Sequence, residues 1–111
     1  MAYNKSMEII ETPVFTAVIV KLMSDDEYKE MQQALLRCPV AGDLIKGSGG
    51  LRKLRWSASG RGKRGGSRVI YYWFKDLETI YMLYAYAKNR QEDLTRDQLK
   101  ILSKLVEEEF K

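Results

Sequence analysis

Glycine is missing from residues 1–41 and 67–111 of this 111-residue chain and crowded between them, all eight glycines falling from Gly42 to Gly66. Glycine weakens the interiors of helices and strands and frees the backbone for turns. Regular elements are therefore expected mainly on either side, with the middle supplying tight turns and loops. The same region carries the charge. From residue 44 to 75 the chain holds Lys46, Arg52, Lys53, Arg55, Arg61, Lys63, Arg64, Arg68 and Lys75 without one Asp or Glu. Such a run repels itself and becomes favourable when a polyanion supplies the missing charge. The rest of the chain is acidic or balanced, so the net charge of +4 conceals a concentrated site. Nucleic acid is the partner class this pattern favours.

The length suits one domain, residues 1–111, large enough to bury a core without disulfides. A hydrophobic content of 45% argues against disorder. Cys38 is the only cysteine, which rules out an internal disulfide and points to a reducing compartment. There is no histidine, so the commonest metal ligand and the commonest neutral-pH acid or base are both absent. No apolar run reaches membrane-spanning length, and the polar start Met1–Ser6 is unlike a signal peptide, with Met7 an alternative start. These features lead us to expect a cytoplasmic protein with no membrane partner, no metal and no other cofactor.

Met7–Glu11 reads as a short strand. Thr12-Pro13 has the form of a helix cap followed by proline at the first helical position. The β-branched run that follows, Val14 to Val20, suits a strand equally well. Ser24 and Glu27 form a capping box, and Tyr28, Met31, Leu35 and Cys38 recur at helical spacing, so a helix is expected over 24–38, ended by Pro39. Leu51–Trp56 reads as a strand with Leu54 and Trp56 on one face, Lys53 and Arg55 on the other. Ser67–Phe74 is a second strand, with Arg68, Ile70, Tyr72 and Phe74 on one face. Thr79–Tyr86 is a third, expected to put Ile80, Met82, Tyr84 and Tyr86 on the same side as Lys88. Short connections make these strands an antiparallel meander. Thr95 and Gln98 open a closing helix whose stripe is Leu99, Ile101, Leu102, Leu105 and Val106. The fold class is α+β.

Lys53 and Arg55, at i and i+2 on a strand, point to the same side. Joined by Arg68 on the next strand and Lys88 just past the third, they can converge on one sheet face and hold consecutive phosphates. The planar fork of arginine suits a phosphate bidentately. No acid nearby in sequence neutralises the set. Tyr72, Tyr84 and Tyr86 can stack on unpaired bases or pack as core aromatics. The loop Gly60–Gly66 lacks the lysine-serine/threonine ending of a nucleotide-binding phosphate loop and joins two strands, so it reads as a basic finger for structured RNA. Gly42 and the Gly47–Gly50 stretch are expected at turns with positive φ.

The run from Gly42-Asp43-Leu44-Ile45 through Gly47-Ser48-Gly49-Gly50-Leu51-Arg52-Lys53-Leu54-Arg55 and Gly60–Tyr72 to Tyr84–Asn89 and Asp93-Leu94 resembles the RelE/HigB family of bacterial toxins, most closely the HigB branch. The resemblance spans about residues 8 to 106. It implies two N-terminal helices, an antiparallel sheet and a C-terminal helix. It also implies an endoribonuclease that cuts mRNA in the ribosomal A site, contacts ribosomal RNA, and is neutralised by a cognate HigA-like antitoxin. Operator DNA would be bound only through the antitoxin complex. Carried over residue by residue, the basic strand residues fall on Arg52, Lys53 and Arg55, the phosphate-contacting arginine on Arg68, and the cation after the last strand on Lys88. Several relatives place a tyrosine or histidine near the C-terminal end, and Lys88–Thr95 has neither.

A metal-free cleavage by the substrate's own 2′-hydroxyl fits both lines. Arg55 and Arg68 would stabilise the phosphorane, while Lys53, crowded by cations, is a candidate for proton transfer. Lys88 would protonate the leaving oxygen or hold the next phosphate, and Glu92 is the rival base. Arg52, Arg61, Lys63, Arg64, Tyr72 and Tyr86 complete the expected RNA contacts. Two other readings use the same residues: an RNA- or ribosome-binding module that does not cut, and an inactive toxin relative kept as antitoxin partner or co-repressor.

Overall fold

Thr12 decides how the chain begins. Its hydroxyl accepts the Phe15 amide at 3.1 Å, and Pro13 fills the first helical position, so the β-branched run becomes a helix rather than a strand. The computed structural model describes residues 7–57 and 66–109. It contains, in order, β1 (Glu8–Glu11), α1 (Pro13–Leu22), α2 (Asp25–Arg37), β2 (Asp43–Leu44), β3 (Leu51–Trp56), β4 (Ser67–Phe74), β5 (Thr79–Ala87) and α3 (Arg96–Glu109), with a short 3₁₀ turn at Lys75–Leu77. The capping box of α2 is complete, with the Glu27 amide donating to Ser24 and the Ser24 amide to Glu27. Among the described residues no helix is long and apolar enough to cross a membrane.

The sheet has the order β1-β5-β4-β3-β2. The expected meander β3-β4-β5 is antiparallel and forms its body, and β2 extends it in the same sense. β1 differs: it joins the far edge parallel to β5, with Glu8 opposite Thr79 and Glu11 opposite Met82. The chain can do this because α1, α2 and the meander all intervene before β5, which supplies the long crossover a parallel pair needs.

Each face of the sheet carries its own core. On one face Leu54, Val69, Tyr71, Ile80, Met82 and Ala85 pack with Phe15, Ile19, Met31 and Leu35 of α1 and α2. On the other, Leu51, Ile70, Leu83 and Tyr86 pack with Leu102 and Val106 of α3. Of the expected α3 stripe, Ile101 is left 67% exposed.

A β-bulge divides β5 between the two faces. Tyr71 pairs with Met82 but Ile70 pairs with Tyr84, so Leu83 has no ladder partner. Its carbonyl instead accepts the Thr12 hydroxyl at 3.1 Å, which ties the bulge to the start of α1. The extra residue reverses the alternation. Ile80 and Met82 face α1 and α2, whereas Tyr84 and Tyr86 face α3, which corrects the expectation that all four share a side.

The turn at 47–50 passes through left-handed backbone at Gly47, Gly49 and Gly50, as expected. Gly42 is needed for a different reason. A Cβ there would lie 2.8 Å from the Tyr71 ring and 3.0 Å from the Lys53 carbonyl, because this loop crosses β3 and β4 in direct contact. The Gly42 amide donates to the Tyr71 hydroxyl at 2.9 Å, and that hydroxyl donates to the Pro39 carbonyl at 2.7 Å.

Candidate functional site

The pairing register assembles the cations. Arg55 stands opposite Arg68, and Arg68 opposite Tyr86, so one cross-strand row reads Arg55, Arg68, Tyr86. The next row toward the sheet centre reads Lys53, Ile70, Tyr84. Strand geometry separates side chains within a row by about 5 Å. Rows on one face are about 7 Å apart, two residues along the strand. Lys88 follows β5 directly, and its amide donates to the Gly66 carbonyl at 3.2 Å, which holds it beyond the Arg68 row. Lys53, Arg55, Arg68 and Lys88 are thus drawn toward one end of the α3 face. The apolar side chains of α3 cover the neighbouring part of that face.

Two cations of this group are paired with acids and two are not. Lys53 Nζ lies 3.2 Å from Asp93 Oδ1. Lys88 Nζ lies 3.6 Å from Glu92 Oε2 and donates to the Glu92 carbonyl at 3.3 Å. Neither Arg55 nor Arg68 has an ion pair among the described residues, and the guanidinium of Arg68 bonds only the Ser67 carbonyl, at 3.3 Å. Like charges directly opposite on adjacent strands destabilise a sheet. This row is therefore maintained at a cost to the fold, and an anion bridging the two arginines would remove that cost.

Asp93 is the residue that sequence reasoning missed. The expectation that no acid neutralises the cations fails twice, because Glu92 reaches Lys88 from four residues along the chain and the Asp93 carboxylate reaches Lys53 from 40 residues beyond it. One oxygen accepts three donors: the Leu94 amide at 2.8 Å, Lys53 Nζ at 3.2 Å and the Tyr86 hydroxyl at 3.4 Å. The Leu94 amide, followed by Lys53, holds the Asp93 carboxyl below the usual carboxylate range. Burial, reinforced by the Asp93 charge, pushes the Tyr86 phenol up to about 12. The signal that could have found it is the Asp93-Leu94 pair within the family pattern, which enters the resemblance with no role at the site.

The remaining expected contacts divide by position. Tyr86 is only 4% exposed, so its ring face is closed to a stacking base, and its hydroxyl donates to Asp93. Tyr84 is half-buried, its ring 6.2 Å from that of Tyr86, and its hydroxyl accepts from Gln98 at 3.3 Å. Tyr72 pairs with Leu51 and Tyr81, four residues along β4 from Arg68, and contacts Phe74 edge-on. It stands at the opposite end of the sheet from the arginine row. Arg52 alternates onto the other face and donates to the carbonyls of Gly42 at 2.7 Å and Val40 at 3.4 Å. There it clamps the loop before β2 and is separated from Lys53 and Arg55. Glu92 is exposed and reaches the group only through Lys88. Arg61, Lys63 and Arg64 lie outside the described residues. Among those residues no cluster of acids and Cys38 has the geometry to hold a metal ion.

The fold and its sequence pattern have relatives. The structure is similar to a chain of the intact Escherichia coli RelBE toxin–antitoxin complex, with a TM-score of 0.56 and 14% identity over 72% of this chain and 94% of that one. It is also similar to an arginine double mutant of E. coli toxin RelE in the free state, with a TM-score of 0.59 and 14% identity over 79% of this chain and 90% of that one. At that identity the likeness speaks for the fold. The sequence itself matches, over residues 7–111, the family described as the RelE toxin of the RelE/RelB toxin–antitoxin system. With that match covering nearly the whole chain, the protein belongs to the RelE toxin family.

Proposed function

We propose that this chain is a ribosome-dependent endoribonuclease that cuts mRNA in the decoding site, arrests translation, and is neutralised by a cognate antitoxin. The observation that carries the reading is the in-register row of Arg55 and Arg68, two guanidiniums without an acid partner, flanked by Lys53 and the Tyr86 hydroxyl. A fold tolerates that juxtaposition when it has an anion to bind, and a phosphodiester meets both forks. Membership of a toxin family supports the same conclusion.

The substrate supplies its own nucleophile. The 2′-oxygen forms a bond to the adjacent phosphorus as the bond to the 5′-oxygen breaks, leaving a 2′,3′-cyclic phosphate and a 5′-hydroxyl. Negative charge grows on the non-bridging oxygens, where Arg55 and Arg68 stand ready, and preorganised donors at such a position are the largest single source of acceleration. Lys53 stabilises the same charge or delivers a proton to the departing 5′-oxygen. Lys88 holds the following phosphate or takes that donor role. Glu92, beside Lys88, is the rival candidate to receive the 2′-proton. The protein's main contribution is alignment, since a 2′-hydroxyl held in line is already close to reacting. No step calls for a metal.

The whole chain acts as one domain in the cytoplasm, where messages are translated. Arg61, Lys63 and Arg64 contact ribosomal RNA, a HigA-like antitoxin neutralises the toxin, and operator DNA is reached through that complex. Primer extension on a defined message in a purified translation system tests the proposal. Discrete ribosome-dependent cuts are expected from the wild type and at least about 100-fold fewer from Arg68→Ala, the loss typical of a missing charge-stabilising donor. Intact message from a wild-type chain that still binds ribosomes would overturn the reading and leave the basic face as a binding surface.

A further inference from the structure

The geometry points to a phosphate subsite formed by Lys53 Nζ and the Tyr86 hydroxyl, which the Asp93 carboxylate occupies in the resting chain and yields when RNA enters. The inference rests on the reading that the strand cations take RNA phosphates.

Asp93 Oδ1 sits where a non-bridging phosphate oxygen would be held. It is an anionic oxygen accepting from an ammonium and a phenol at once, 3.2 and 3.4 Å away. Its third donor, the Leu94 amide, belongs to its own segment and is independent of the sheet. The carboxylate can therefore turn away from Lys53 and keep its backbone contact. The pair is also open to water, with side-chain exposures of 25% for Lys53 and 66% for Asp93. Ion pairs this exposed hold weakly, because water screens them and two long side chains must be ordered.

A phosphate has what Asp93 lacks, namely simultaneous access to the arginine row. Lys53 and Arg55 share a face of β3, and Arg55 stands opposite Arg68. A phosphodiester seated on the two arginines brings its negative charge toward Lys53 and against Asp93. Like charges cannot both occupy the subsite, and the anion held by more cations displaces the other. Asp93 thus sets a threshold. RNA that engages the arginines opens the lysine, while a small anion that meets Lys53 alone must compete with a resident carboxylate.

The test uses the full chain and a short single-stranded RNA made entirely of 2′-O-methyl nucleotides, which has no nucleophile and cannot be cut. Affinity is measured by fluorescence anisotropy at low salt for wild type, Asp93→Asn, Lys53→Gln and the double variant. Removing a resident anion held by an exposed pair should tighten binding about two- to fivefold. The gain should shrink as salt screens the pair and vanish in the Lys53→Gln background. Glu30→Gln on α2, an equal change in net charge far from the site, should leave affinity unaltered. Asp93→Ser also retains an acceptor for Leu94 and repeats the measurement should the Asn variant fold poorly.

Unchanged or weaker binding in either folded Asp93 variant would overturn the subsite. So would an equal gain with Lys53 replaced, which would make the effect one of general charge. Because the probe cannot be cleaved, the two proposals fail separately. A Lys53-dependent gain with messages left whole in translation sustains the subsite and removes the nuclease. Arg68-dependent cutting without the gain does the reverse.

Discussion

Arg52 and Arg55 lie three residues apart on one strand and do opposite things. Arg52 points to the face covered by α1 and α2, and its guanidinium is spent on the carbonyls of Gly42 and Val40. Arg55 points to the face that α3 covers in part, has no acid partner among the described residues, and is set against a second arginine. The same chemical group serves as a structural clamp on the closed face and as an unneutralised charge on the open one. What differs is the neighbourhood. Beside the loop before β2, a cation survives by satisfying backbone carbonyls. Where the helices stop short, it stands without an acid partner among the described residues and is open to an external anion.

The largest expected effect belongs to the closed face. Phe15 is wholly buried among Ile19, Met31, Tyr71 and Met82, so Phe15→Ala should cost about 3–5 kcal/mol, read as a lower urea midpoint. A smaller loss would mean that α1 settles into the gap and that the closed face is softer than its packing suggests.

The two arginines sharpen the contrast. Arg52→Ala should lower stability by about 1–2 kcal/mol, the scale of hydrogen bonds to a charged donor at a half-exposed site, while message cleavage persists. Arg55→Ala should abolish most cleavage and leave the urea midpoint unchanged or slightly raised, since it relieves a like-charge pair worth a few tenths of a kcal/mol. Equal losses of stability in the two variants would break the distinction between the faces.

The smallest effect is seen on raising the pH. Tyr86 has its phenol pushed up to about 12, mainly by burial and then by Asp93, and Tyr71 is raised by burial on the opposite face. A pKa higher in the folded state means that unfolding favours the tyrosinate. This contribution is whole below about pH 10, the ordinary tyrosine value, and is lost as the pH climbs toward 12. Unfolding followed by circular dichroism should therefore coincide with the late tyrosinate absorbance, and Tyr86→Phe should remove one late step. Ionisation of all tyrosines near pH 10 in the folded chain would contradict it.

Much of this molecule is legible in its sequence because it depends on near neighbours. The Ser24–Glu27 box, the Thr12-Pro13 start and the Gly47–Gly50 turn are each closed by atoms within a few residues. The alternation that aims Lys53, Arg55 and Arg68 at one face follows from strand pleating alone. The same parity sends Arg52 to the other face, a consequence readable in the sequence that the family likeness obscured.

What only the tertiary structure decided comes from contacts between distant segments. Thr12 takes the Leu83 carbonyl across 71 residues, and with Leu83 unpaired the β5 alternation reverses, turning Tyr86 toward the arginines instead of the α1–α2 core. Asp93 crosses 40 residues to meet Lys53 and, together with the local Lys88–Glu92 pair, leaves the cluster half neutralised in space. Charge acts through distance in the folded molecule and pleating through position along the strand. The sequence could therefore say which cations share a strand face, but not that Lys53 had found an acid.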